Sequence, residues 1–203
     1  IQGARYDDAL KLAKQIQQQK PESSEGLVLE GEIALARKQF DTALAAYERA
    51  QKLMPTGALL IRQHQALERM GRAAEGENRL ATWLESHPQD AAIRMALAER
   101  LLNRNQFKAA AEHYLLLNQS NPGNLVVLNN LAWALLQAND KRALSYAERA
   151  FKLQPSNPSV LDTYGWTLTQ TGQAVKAIPY LQQALSKAPD AGDIHYHYAV
   201  ALA

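Results

Sequence analysis

Six of the eight prolines in this chain fall on one comb: Pro21, Pro55, Pro88, Pro122, Pro155 and Pro189, at intervals of 34, 33, 34, 33 and 34 residues. Proline has no backbone N–H and its ring clashes with the preceding turn, so it terminates helices. A helix terminator at this interval predicts a repeat array whose units stack along the chain. The last complete copy, from Pro158 to Pro189, reads PSVLDTYGWTLTQTGQAVKAIPYLQQALSKAP and serves as the reference for the others.

Apolar residues between the prolines recur at helical spacing, and no stretch shows the strict alternation of a half-buried strand. The reading is about twelve helices in one array over 1–203. A partial repeat covers 1–21, five full repeats cover 23–55, 57–88, 90–122, 124–155 and 157–189, and a partial repeat covers 190–203. The opening IQGARYDDALKL reads as the middle of a repeat, so the expectation is a piece excised from a longer chain. Ser23 or Ser24 is expected to cap the helix of 23–37 with its hydroxyl. Gly71 is expected in a left-handed cap. Gly76 is expected to weaken its helix by about 1 kcal/mol relative to Ala. The turn Ala138-Asn139-Asp140 is read as one residue short, accounting for a 33-residue interval. Pro179, inside a predicted helix, is expected to kink it unless it falls early enough to lose few hydrogen bonds.

Small residues recur where two helices must approach: Gly31, Ala43 and Ala50; Ala132, Ala143 and Ala150; Gly165, Ala177 and Ala184. Large ones such as Leu161, Tyr164, Leu168 and Leu181 alternate with them, so neighbouring backbones come close and the bulky side chains fill the space beside them.

These positions carry a resemblance to a known family. Leu161, Tyr164, Gly165 and Leu168, then Ala177, Leu181, Ala184 and Pro189, match the tetratricopeptide repeat (TPR) pattern W-x2-L-G-x2-Y, A-x3-F, A and P. Leu27, Gly31, Ala34, Ala43, Tyr47, Ala50 and Pro55 do so in an earlier unit. The resemblance covers essentially the whole chain and implies an all-α, right-handed TPR superhelical solenoid of antiparallel helices, a fold used for protein–protein interaction. More narrowly, LNNLAWALLQ, VLDTYGWTLTQTGQ and APDAGDIHYHYAVALA resemble bacterial TPR proteins of the exopolysaccharide and PEP-CTERM/exosortase systems, several of them envelope lipoproteins.

In TPR proteins the first helix of each pair lines the concave groove. The resemblance therefore places there Val28 and Glu32; Arg62, Gln65 and Arg69; Met95, Glu99 and Asn103; Asn129, Asn130, Trp133 and Gln137; Asp162, Thr163, Trp166 and Gln170; Tyr196 and His197. Trp133 and Trp166 occupy equivalent sites in adjacent repeats. Either they form an aromatic ladder that grips an extended peptide, with amides bonding its backbone, or they pack between neighbouring first helices and only shape the array. Chaperone-type relatives clamp a terminal carboxylate with Lys and Asn; here Asn129 and Asn130 lack an accompanying lysine, and Arg62 and Arg69 lie two repeats away.

Other chemistry finds little support. A net charge of +2 gives no argument for nucleic acid or an anionic membrane. The absence of cysteine removes disulfides, thiol catalysis and zinc–thiolate sites. No apolar run approaches the roughly 18 residues of a membrane span. His195 and His197 are two residues apart on a helix and point to different faces, so they do not share a metal. No phosphate loop, H-E-x-x-H or G-x-S-x-G motif occurs. The expectation is a non-catalytic adaptor without cofactor or metal, binding a protein or peptide in its groove, in the bacterial envelope or in exopolysaccharide export. The alternatives are a cytoplasmic chaperone-like or regulatory adaptor, and a structural module that self-associates through apolar end helices. Periplasm or envelope is the expected location, with cytoplasm as the alternative.

Overall fold

The computed structural model describes residues 2–203, with side chains from residue 5 onward. The described residues form twelve α-helices and no strand. These are α1 (Gln2–Gln19), α2 (Glu25–Ala36), α3 (Phe40–Leu53), α4 (Gly57–Arg69), α5 (Ala73–Ser86), α6 (Ala91–Asn103), α7 (Phe107–Ser120), α8 (Leu125–Gln137), α9 (Ala143–Leu153), α10 (Pro158–Gln170), α11 (Ala174–Lys187) and α12 (Gly192–Leu202). The chain forms two compact units, residues 1–97 and 98–203, and the boundary falls inside α6.

In the first unit, α1 to α4 pack each on the next, and α4 packs on α5. One core gathers Leu27, Ala34, Ala43, Leu44, Tyr47, Ala50, Leu59 and Leu67, and a second gathers Leu60, Leu80, Ile93 and Leu97. Gly31 is required here: a Cβ on it would run into the Tyr47 ring. Gly76 has a packing reason as well. An added Cβ would lie 2.8 Å from His64 Cδ2 and 3.0 Å from its Cα, so the propensity lost by glycine is set against a close α4–α5 approach.

In the second unit, α8 packs on α9 and α10 on α11, while α10 also touches both α8 and α12. Three first helices therefore lie side by side. Phe151, Tyr164 and Tyr180 form an aromatic knot between α9, α10 and α11, with ring centroids 4.9–5.1 Å apart. Gly165 sits against Leu181, where a Cβ would come to 2.6 Å from Cγ. Helix α11 runs unbroken through Pro179.

The turns inside the helix pairs share a backbone device. Lys38, Gly71, Asn105, Asn139 and Gly172 all have positive φ, between 57° and 79°. In each, the following residue donates its N–H five residues back at 2.8 Å: Gln39 to Ala34, Arg72 to Leu67, Gln106 to Leu101, Asp140 to Leu135 and Gln173 to Leu168. This is the Schellman closure, which satisfies carbonyls that a helix end would leave orphaned.

One expectation is corrected. The α8–α9 connection is not short: it spans 138–142, against three residues in each of the other four such turns. Asp140 accepts from the Arg142 backbone N–H at 2.9 Å and delays the next helix, so α9 has only 11 residues and the missing length is in the helix. Ser24, at the N-cap of α2, makes no capping bond with its side chain. Its backbone is already helical there; of the two serines expected to cap, Ser23 does so, its Oγ accepting from Glu25 N at 3.2 Å.

Candidate functional site

Helix α8 places Asn129, Trp133 and Gln137 four residues apart, and α10 does the same with Asp162, Trp166 and Gln170, so each trio forms a stripe along one helix face. Helix α12 adds Tyr196 and His197. The three helices bring five of these side chains into one cluster. His197 is buried and stacks on Trp166 with ring centroids 4.2 Å apart and planes 17° from parallel. It is tilted against Trp133 at 6.0 Å, and its Nδ1 donates to Asp162 Oδ1 at 2.8 Å. Tyr196 lies 5.9 Å from Trp166 and is 63% exposed.

This geometry separates the two tryptophans. Trp166 is only 8% exposed, held between α10 and the His197 ring, whereas Trp133 is half-buried. Asp162 is committed to His197. Thr163 is buried, and its backbone carbonyl accepts from Thr167 Oγ1 at 2.6 Å, so it faces the interior rather than a ligand. Asn130 turns toward α7 and donates from Nδ2 to Tyr114 Oη at 3.2 Å. Tyr114 is fully buried, and loss of hydration pushes its phenol up to about 12. Asn129 differs from its neighbour: its side-chain oxygen is buried and accepts no hydrogen bond. A buried acceptor without a donor costs free energy that a ligand N–H or O–H can recover.

Beside the cluster, at the turn end of α8 and α10, lies a hollow of roughly 450 Å³ lined by Leu136, Gln137, Asn139, Asp140, Lys141, Ala143, Trp166, Gln170 and Thr171. The sequence pointed to Gln137, Trp166 and Gln170. The turn residues Asn139, Lys141 and Thr171 were missed; their signal was the left-handed turn, which brings the end of one helix pair beside the next.

In the first unit, Arg62 and Glu32 are paired, with Nε at 3.2 Å and Nη2 at 2.9 Å from Glu32 Oε1. Both are partly solvated, so the pair contributes little to stability, but it occupies the arginine. Arg69 is exposed. Tyr47 lies near this pair; burial raises its pKa, and the Glu32 charge adds to the rise. Among the described residues no group of three or more His, Asp or Glu could hold a metal ion, and no helix is long and apolar enough to cross a membrane.

The family model described as "Tetratricopeptide repeat" matches residues 1–58 and 62–124. The chain belongs to the tetratricopeptide repeat family. This TPR chain is 26% identical over 166 residues to a TPR repeat-containing protein of Pseudomonas aeruginosa, an alignment covering 78% of the chain and 28% of the relative. It is 30% identical over 127 residues to cellulose synthase operon protein C of Pseudomonas fluorescens, covering 62% and 10% respectively. The chain thus spans well under a third of the curated relatives it matches. Among solved structures, a tetratricopeptide repeat protein from Parabacteroides merdae aligns with a TM-score of 0.75 at 15% identity, over 88% of this chain and 72% of that one. YrrB, described as a TPR protein with an unusual peptide-binding site, aligns with a TM-score of 0.71 at 16% identity, over 93% and 98%. These likenesses are of fold: an all-α TPR solenoid, the architecture of a protein–protein interaction scaffold.

Proposed function

We propose that this TPR chain is a non-catalytic adaptor that takes a segment of a partner protein across the first-helix face of α8, α10 and α12. The carrying observation is the cluster itself: aromatic side chains from three successive first helices, with the unpartnered Asn129 oxygen four residues before Trp133. Tyr196 and the open part of Trp133 would supply apolar anchors, the residue types that dominate binding energy at interfaces. Asn129 would accept a backbone N–H of the bound segment. Trp166 and His197 would act by packing, holding Tyr196 and Trp133 in place. A carboxylate clamp is a poorer reading, because α8, α10 and α12 contain no lysine or arginine. The likeness to cellulose synthase operon protein C supports a place in a bacterial polysaccharide system.

The test is capture of partners from soluble and membrane extracts of the source organism by the wild-type chain and by Tyr196→Ala with Asn129→Ala. Tyr196 is exposed, so the helical circular dichroism should be unchanged. Loss of a captured protein, with helicity retained, is the expected result. Equal capture by both would move the binding site off this face.

A further inference from the structure

We propose that the hollow between α8, the α8–α9 turn and α10 holds a short stretch of a glycan chain. This goes beyond the protein-binding reading and stands or falls without it. The argument rests on what lines the hollow. Gln137, Asn139 and Gln170 end in amides, each offering both donors and an acceptor, and among the described residues their side chains form no hydrogen bond with the rest of the chain. Trp166, 8% exposed and stacked on His197, also lines the wall. A sugar ring presents an apolar C–H face and a rim of hydroxyls that both donate and accept. The three amides match the hydroxyl rim, and the small open part of Trp166 matches the apolar face.

Charge points the same way. Helices α8, α10 and α12 contain no lysine or arginine, and their two acids are Asp162, which is bonded to His197, and Asp193. Asp140, in the hollow's wall, is held by Arg142, with Nη2 to Oδ2 at 2.8 Å and Nε to Oδ1 at 3.0 Å. These bonds keep its carboxyl down at about 2, so it remains an ion with its charge already matched. Lys141, at the exposed turn, is the lining's cation and has no ion-pair partner among the described residues. From α8 onward the lysines and arginines instead lie on α9, α11 and the α8–α9 turn. A face so poor in uncompensated charge does not select an acidic or basic peptide by long-range attraction. A hydroxyl-rich chain needs none. The volume lies within the range of small-molecule sites.

The probes are cellohexaose, a neutral oligosaccharide, and a galacturonic acid hexamer, an acidic one. Each is titrated into the full chain while NMR follows the Trp166 indole and the Gln137 and Gln170 side-chain amides. The expected result is a saturable shift of all three with at least one probe. Gln137→Ala with Gln170→Ala should weaken it about tenfold or more, since both direct hydrogen-bonding amides are lost. Both glutamines sit near helix ends, so the variant keeps its fold, as unchanged resonances in α11 would verify. Tyr196→Ala should bind the glycan as wild type does while losing the protein partner, which separates failure of this proposal from failure of the adaptor reading. The proposal is overturned by the absence of any saturable shift at millimolar sugar. It is equally overturned by a Trp166 shift whose sugar dependence the double glutamine variant leaves unchanged, or by a captured protein segment that moves the wild-type signals when neither sugar does.

Discussion

At the scale of single residues, two buried tyrosines at matching places make a controlled comparison. Tyr47 and Tyr114 are both fully buried, each on a second helix and each sixteen residues before an amide on the next first helix. Asn130 donates to the Tyr114 hydroxyl. Gln63 is one methylene longer, and its Nε2 donates to the Tyr47 backbone carbonyl at 3.4 Å while its Oε1 accepts from Arg79 Nη1 at 2.7 Å, so the Tyr47 hydroxyl has no partner. Tyr114→Phe should therefore cost about 1 kcal/mol and leave Asn130 unpaired, whereas Tyr47→Phe should be neutral or stabilising. Urea midpoints of the two variants decide it; equal losses would contradict the reading. The same burial sets a pH dependence. The folded-state pKa of Tyr114 is raised above its ordinary value of 10.0 to about 12, so its contribution is complete below pH 10 and is lost as the pH climbs toward 12. None of this pairing is visible in the sequence, where Asn130 stands beside Asn129 and looks equivalent to it. His197 is a similar case. Its spacing from His195 argues only against a shared metal, and its stack on Trp166 depends on how α12 settles against α10.

At the scale of elements, helix positions were legible because proline and the small-residue pattern are local signals. About twelve helices were expected from the periodicity, and the described residues form twelve. The turns were less legible. A glycine announces a left-handed residue, as Gly71 did, but Lys38, Asn105 and Asn139 adopt the same conformation because the helices on either side dictate it. A side chain with a Cβ there costs roughly 1–2 kcal/mol, partly offset by the greater chain entropy that glycine brings to the unfolded state. Lys38→Gly should consequently stabilise the chain by about 0.5–1 kcal/mol. Asn139→Gly should gain less, since asparagine tolerates this region better than other residues. Thermal unfolding of both variants checks the order, and a larger gain at Asn139 would refute it.

At the scale of the whole molecule, a repeat array has no single core to lose. Each helix pair touches only its neighbours, so a defect should stay near the place where it is made. Gly165 is a suitable place to make one. An added Cβ would lie 2.6 Å from Leu181 Cγ and 2.9 Å from its Cδ2, and such overpacking typically costs 1–3 kcal/mol. The leucine belongs to α11, which packs in turn on α12, so Gly165→Ala should loosen α10, α11 and α12 together. Hydrogen exchange resolved by residue would show faster exchange in these three helices while α2, α3 and α4 of the first unit keep their protection. Loss of protection spread evenly over all twelve helices would mean that the two units unfold as one cooperative body. The nearest-neighbour account would then fail.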